Sequence, residues 1–491
     1  MNKLTKNIIL VLGGLIILEA LSFLGFSNPF INQAVFILLV AATLIISSYS
    51  LENGLLLVLL ELIVGSKGYL FYLPYEGGKM LSLRLTIWSV FMLIFVIKLI
   101  NQLIRTGKKS VYLSNLKKFI FWRPFLGLAV FVLVGLISGF IYRNGLSNIF
   151  LDFNAWLYFL ILLPAAALEL KVEKLKIVYL AGGILISLKT LILLGIFSND
   201  FSFAPTVYAW LRKTLVGEMT TASGWNRVFI QSQIFPIIAY YFCLFKAATY
   251  EHFREIFKKQ NWLNLILASL FFSTLLISLS RSFWFGFAVV IALALIIIWR
   301  LYSFKRAATV GIWFLASAAL GVLMIIAMTP KLIGNFDDQL AGRLGNKQEA
   351  AVVSRWSLLP VLVSEIKKNP ISGQGFGATA TYISSDPRIL QNNPDGKYTT
   401  YAFEWGYLDI WLKIGILGII AYFCLLFVLI KAAFLQAKIK AKNKEAGFYL
   451  SLASGLVFLA ALNVFTPYLN HPLGIGFIII SSCLIPKDRV Y

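Results

Sequence analysis

Long unbroken apolar runs, separated by short connections that carry lysine and arginine, set the pattern of this chain. The runs lie near 8–26, 30–48, 51–66, 84–104, 119–141, 151–169, 177–197, 228–247, 262–279, 282–302, 308–329, 405–430, 447–466 and 471–485. Most approach the roughly 20 residues that an α-helix needs to cross a bilayer. The pattern predicts an all-α, polytopic integral membrane protein of about 12–14 transmembrane helices, with the short runs at 51–66 and 471–485 setting the lower figure. A β-barrel would read as short segments of alternating polarity, and these runs are continuous. The first run is too long, and too poor in a small-residue cleavage site, to be a removable signal peptide.

Composition agrees. Of 491 residues, 59% are hydrophobic and 13% charged, against about 45–50% and about 25% for soluble chains. The net charge of +23 would suggest nucleic acid in a soluble protein, but its distribution follows the rule that cytoplasmic loops are basic, so no nucleic-acid partner is expected. With Lys3 and Lys6 inside, the basic connections alternate. Inside fall Arg105, Lys108, Lys109, Lys117 and Lys118, then Lys171, Lys174 and Lys176, then Lys246, Arg254, Lys258 and Lys259. Arg300, Lys305 and Arg306 follow, then Lys431, Lys438, Lys440, Lys442 and Lys444, and last Lys487 and Arg489. Both termini are therefore expected in the cytoplasm.

This orientation leaves two long connections outside, 198–227 and 330–404. The first carries Trp210, Arg212, Lys213, Trp225, Asn226 and Arg227. The second opens with Pro330 and Lys331, carries Asp337, Asp338 and Arg343, and then shows a helical pattern from about Ala350 to Lys368. Val353, Trp356, Leu359 and Val363 form its apolar side, and an amphipathic helix of this kind is expected on the membrane interface. Asn369-Pro370 stops it, because proline disfavours helix at the residue before it. Ser372-Gly373-Gln374-Gly375-Phe376-Gly377 follows, too glycine-rich for regular structure. Loops this long are usually functional or disordered, and this one is aromatic and patterned.

Much common chemistry is missing. The glycine stretch has the wrong spacing for a dinucleotide fingerprint, and GxxxxGK[ST], GxSxG and HExxH do not occur. Cys243, Cys424 and Cys483 sit in apolar runs without metal-ligand spacing. There are two histidines, and no acidic cluster of the DxD kind, so no metal and no cofactor are expected. What remains is arginine on the outer side, where anchoring a cytoplasmic loop does not explain it. Arg281 sits where two apolar runs meet, in Ile277-Ser278-Leu279-Ser280-Arg281-Ser282. Arg355 lies in the long loop, and Arg227 flanks a run on the same side. A planar guanidinium pairs phosphate oxygens bidentately and stays charged, which suits a lipid-linked phosphate.

These pieces together resemble the O-antigen ligase and polymerase superfamily (Wzy C-terminal type). The resemblance rests on Ser280-Arg281 at a short outer turn and on Arg355-Trp356-Ser357-Leu358-Leu359-Pro360 in the loop. It continues through Asn369-Pro370-Ile371-Ser372-Gly373-Gln374-Gly375-Phe376-Gly377, Tyr407-Leu408 and Gly415-Ile416-Leu417-Gly418, covering about 262–480. It implies a saccharide donor on polyprenyl pyrophosphate, a glycan, lipid or protein acceptor, and membrane lipids as surroundings. Arg281, Arg355 and Arg227, with Gly373, Gly375 and Gly377, are the expected substrate contacts. Ligases of the superfamily have a histidine where the loop enters its helix; this chain has Glu404, followed by Trp405. A carboxylate there can take the proton of an acceptor hydroxyl, since general-base work needs proximity and a suitable proton affinity. Glu404, Arg281 and Arg355 are thus the expected catalytic residues. Residues 1–200 are expected to form a transmembrane scaffold, and 201–491 the ligase-like region with its loop at about 330–404.

Plainer readings stand beside these. Arg281 can mark a helix end and snorkel to head groups, Arg355 can be a solvated helix residue, and Arg227 an interfacial anchor. Glu404 can pair with Lys413 or Arg388, and His471 can be a surface histidine ahead of a helix. Glu19, Glu61 and Lys189 lie inside apolar runs, where ionisable groups often mark pathways, so a transporter or flippase of lipid-linked saccharides is the alternative. No internal repeat of the kind common in transporters is present.

Overall fold

The computed structural model describes residues 3–75, 79–106, 110–168, 170–222, 225–250, 253–330, 350–440 and 445–486. Lys108, Lys109, Lys331, Asp337, Asp338, Arg343, Lys442, Lys444, Lys487 and Arg489 lie outside the described residues, as do the side chains of Trp225 and Arg388.

The chain is all-α and polytopic. It opens with α1 (Lys3–Ser27), α2 (Pro29–Tyr49) and α3 (Leu51–Val64), a short hairpin of β1 (Tyr72–Pro74) and β2 (Met80–Ser82), and α4 (Leu83–Thr106). Next come α5 (Val111–Lys118), α6 (Trp122–Ile141), α7 (Leu146–Phe153), α8 (Leu162–Ala167), α9 (Val172–Ser198) and α10 (Ala204–Lys213). A second hairpin, β3 (Glu218–Ala222) with β4 (Trp225–Phe229), leads to α11 (Ile234–Ala247), α12 (Lys259–Ile277), α13 (Arg281–Leu301) and α14 (Phe304–Met328). Then follow α15 (Ala350–Lys368), β5 (Ala380–Ile383), α16 (Pro387–Asn392), β6 (Lys397–Thr400), α17 (Gly406–Ile439), α18 (Ala446–Leu462) and α19 (Pro472–Leu484).

Every apolar run of the sequence falls, for most of its length, on a helix or on a bent helix pair. Eight helices among the described residues are long and apolar enough to cross a membrane, or nine if Leu146–Phe153 and Trp156–Ala167, bent by 44°, count as one span. The remaining runs fall on the shorter helices α3, α11, α12, α18 and α19. Local chemistry shortens them. Ser66 (φ 54°) and Gly68 (φ 89°) turn the chain just after α3, and the apolar run at 228–247 begins as strand β4.

Contacts divide the chain into two discontinuous units. The first comprises Met1–Lys118, Ile161–Leu340 and Ala437–Ser451. Here α9 packs against α1, α3, α11 and α12. Its Gly182 lets α3 approach, since a Cβ there would lie 2.5 Å from the Ile63 side chain. Small residues at such contacts are how helices approach in a membrane, where lipid is as apolar as leucine. Three charges well within the apolar runs of this unit are paired. Lys189 Nζ lies 2.7 Å from Glu19 Oε2 and over the Trp210 ring at 4.7 Å, and Arg84 Nε lies 2.7 Å from Glu61 Oε2. Buried Asn32 donates to the Tyr72 carbonyl and accepts from its amide. Glu19, Glu61 and Lys189, the residues on which the transporter alternative rests, are thus each in an ion pair.

The second unit comprises Phe119–Leu160, Ala341–Gln436 and Leu452–Tyr491. Phe376, fully buried, meets Phe153 and Trp156 edge-on, and Trp156 reaches Tyr422. α15 has the expected bounds, with Pro360 inside it. Its buried stripe is Ser354, Leu358, Leu362 and Ile366, packed with Ala378, Ala380, Phe403 and Leu412. The expected apolar side was Val353, Trp356, Leu359 and Val363, yet Val353 and Trp356 are exposed. The helix is apolar over a wide arc, so spacing alone left the buried face one position uncertain.

Candidate functional site

Within the first unit, the turn joining α12 to α13 is tight because Leu279 takes a left-handed conformation (φ 44°). The Ser280 amide donates to Ser278 Oγ at 3.2 Å, and Ser280 Oγ lies 3.0 Å from Ser282 Oγ. Arg281 is thereby the first residue of α13, half-buried. A cation at a helix N-terminus opposes the helix dipole, so the dipole does not favour arginine at this position. Strand β4 brings Arg227 to the same turn, where its Nε donates to the Ser278 carbonyl at 2.9 Å. Its guanidinium sits 4.8 Å from the Phe229 ring, and Phe229 packs on Phe283 at 5.6 Å. The structure thus joins Arg227 to the Arg281 turn across some fifty residues of chain, which no spacing rule foretold.

Within the second unit, Arg355 and Glu404 form an ion pair through Nε and Oε2. Both are solvent-accessible, with side chains 37% and 53% exposed. Trp405 holds the geometry from below: its Nε1 donates to the Arg355 carbonyl at 3.0 Å, and its ring meets Trp356 at 5.5 Å and Phe465 at 5.8 Å. The β5–β6 hairpin docks on α15 through Ser354, whose Oγ accepts from the Ser385 amide at 2.8 Å. The hairpin carries Tyr382 against Tyr398. Burial pushes the Tyr382 phenol above its ordinary value, and the nearby Glu404 carboxylate adds to that shift.

Gly373, Gly375 and Gly377 all have positive φ (76°, 84° and 78°). A Cβ on Gly375 would fall 2.1 Å from the Gly139 amide nitrogen, and one on Gly373 would fall 2.7 Å from that of Gly415. The segment is stitched down by hydrogen bonds: Gln374 N to the Leu412 carbonyl, Phe376 N to the Gly135 carbonyl, and Asn144 Nδ2 to the carbonyls of Gln374 and Phe376. Glycine is required here for backbone conformation and close approach. Gly415 (φ 73°) breaks α17 at the same place, and Ile416 N donates to the Pro370 carbonyl.

Lys413 does not pair with Glu404. It is buried between two aspartates, 2.5 Å from Asp152 Oδ1 and 2.6 Å from Asp409 Oδ1. Asn470 Nδ2 donates to Asp409 Oδ2, and the Gly377 amide to Asp152 Oδ2 at 2.8 Å. Sequence reasoning missed this cluster. Its one legible signal was the i, i+4 spacing of Asp409 and Lys413 in an apolar run. His471 caps α19, its Nδ1 accepting from Leu473 N at 3.3 Å, as a histidine ahead of a helix would. Among the described residues no group of three or more His, Cys, Asp or Glu is placed to hold a metal ion.

In the first unit an arginine thus stands at a helix start, and in the second an arginine pairs with a carboxylate beside a glycine-pinned loop. Residues 266–423 match the family model for O-antigen ligase. That match supports the O-antigen ligase and polymerase superfamily, and with it an enzyme of ligase- or polymerase-type glycosyl transfer in cell-surface polysaccharide assembly. The matched segment contains Arg281, Arg355, Glu404 and the three glycines, and leaves Arg227 outside. A comparison with curated proteins gave no match.

Proposed function

We propose that this protein transfers a saccharide from a polyprenyl-pyrophosphate-linked donor to an acceptor hydroxyl at the outer face of the bacterial cytoplasmic membrane. The observation that carries this reading is the Arg355–Glu404 pair, inside the segment that matches the ligase family. An accessible ion pair is worth only about 0–1 kcal/mol, so a diphosphate, with more charge and more acceptor oxygens, displaces the carboxylate from the guanidinium. Donor binding then has two effects at once. Arg355 engages pyrophosphate, and Glu404 is released as a base.

The bond between the anomeric carbon and the phosphate oxygen breaks, and its electron pair leaves with the pyrophosphate. Guanidinium groups stabilise that growing charge, which is the role assigned to Arg355 and Arg281, with Arg227 supporting the turn that carries Arg281. The acceptor oxygen bonds to the anomeric carbon, and Glu404 takes its proton. Arginine neutralises the diphosphate, so the mechanism needs no metal. Residues 1–200 serve as scaffold and as part of the groove through which lipid arrives, and 201–491 carry the reaction. Gly373, Gly375 and Gly377, buried against neighbouring helices, hold the loop in place.

Membranes containing the protein should lengthen or attach lipid-linked saccharide without ATP or added divalent cation, and with chelator present. Activity abolished by chelator and restored by a divalent cation overturns the metal-free mechanism. Movement of lipid-linked saccharide across the membrane with no covalent product favours the transporter.

A further inference from the structure

We propose that Lys413 is a positioning residue, the hub that fixes the glycine segment and the Glu404 helix start relative to one another. This rests on the transfer reading for its catalytic consequence, though not for its geometry. Lys413 lies in the first turns of α17, a helix long and apolar enough to span a membrane, and its side chain is 1% exposed. Asp152 and Asp409 are nearly as deeply buried, at 7% and 3%. Ionisable groups in such surroundings are expensive, and a buried ion cluster is often no more stable than an apolar one of the same volume. What the cluster adds is direction.

Each carboxylate has two oxygens, and each spends one on the Lys413 ammonium. The second oxygen of Asp152 takes the Gly377 amide, where φ is 78° and only glycine is at ease. The second oxygen of Asp409 takes the Asn470 side chain, next to the His471 cap of α19. Asp409 N also donates to the Trp405 carbonyl, closing the first turn after Glu404. The ammonium itself stands 5.7 Å over the ring of Phe403, the residue before Glu404. One cation therefore ties together α7, the glycine segment, the start of α17 and the turn before α19. Only Asp409, one turn earlier on the same helix, is a sequence neighbour of Lys413; the glycine segment and the turn before α19 reach it through the two aspartates. A catalytic base must be held to within a fraction of an ångström, and its supporting residues do the holding.

The test is a charge-free variant, Asp152→Asn with Asp409→Asn and Lys413→Met, compared with Lys413→Met alone, both in the full-length protein. The single variant strands two carboxylates and is expected to accumulate poorly. The triple variant is expected to reach the membrane and remain monodisperse in detergent. In it, hydrogen exchange of the 373–377 amides should be faster than in the wild type. Its kcat should fall by roughly ten- to hundredfold, the cost of a misplacement of about 1 Å, with the donor KM unchanged. Wild-type exchange at 373–377 in the triple variant overturns the proposal. So does a raised donor KM at constant kcat, which would make the cluster part of donor binding. A wild type that transfers nothing refutes the transfer reading, while the exchange comparison still decides whether Lys413 positions the segment.

Discussion

Replacing Gly375 with alanine should unseat the loop that carries the candidate site, and the size of the effect follows from the backbone. Gly375 has φ 84°, and a left-handed conformation costs an L-residue about 1–2 kcal/mol. The new Cβ would lie 2.1 Å from the Gly139 amide nitrogen and 2.6 Å from Gly139 Cα, so α6 must move. Overpacking of this kind typically costs about 1–3 kcal/mol. Together the two give about 2–5 kcal/mol against the folded second unit. Gly127→Ala is the internal control. It lies in the same unit, in the interior of α6, with nothing within 4 Å of the position its new methyl group would take. Alanine there gains up to about 1 kcal/mol of helix propensity. The assay is thermal loss of the monodisperse peak in detergent, followed by fluorescence. Gly375→Ala should melt well below the wild type and Gly127→Ala at or above it. Equal melting of the two variants would show that the left-handed backbone at Gly375 and its close approach to Gly139 do not hold the unit.

Three other outcomes are expected. Arg281→Lys keeps the charge but loses the planar fork, so transfer activity should fall severely while the protein still reaches the membrane; near-normal activity would reduce Arg281 to a helix-end anchor. Glu404→Gln keeps shape and removes the base, so donor binding measured with labelled lipid should survive while transfer is lost, and transfer at the wild-type rate would move the base to another residue. A cysteine placed at Asp386 should be labelled from outside the cell and one at Lys438 from the cytoplasm; labelling of the Asp386 position from the cytoplasm alone would remove the basis for an outward-facing site.

The sequence made the membrane architecture legible because bilayer thickness imposes one strong rule on every span. The bounds of α15 were legible too, since Lys368 is followed by Asn369-Pro370. Run length was less informative. α11 starts later than its apolar run because β4, at Trp225–Phe229, uses the same kinds of residue. The hairpin strands, three to five residues each, carry too little periodicity to stand out. For the site, arginine in connections that the charge pattern assigns to the outside was visible, and so was the glycine segment. The partners were not. Glu404 meets Arg355 across 49 residues, and Lys413 meets Asp152 across 261. Such pairings are set by packing of whole helices, which single-chain periodicity does not encode. The glycines were read as substrate contacts from their resemblance to a motif, and the structure gives them a backbone task as well.

Transfer of the proposed kind forms a glycosidic bond at the expense of a pyrophosphate-linked lipid. Its most direct test is purified protein in liposomes, supplied with a defined polyprenyl-pyrophosphate saccharide and an acceptor glycan, with both products counted. Free polyprenyl pyrophosphate should appear one-for-one with lengthened acceptor, in the presence of chelator, and an Arg355→Ala variant should release none. Donor that stays intact while it crosses the bilayer, or pyrophosphate released without any new glycosidic bond, would contradict the account.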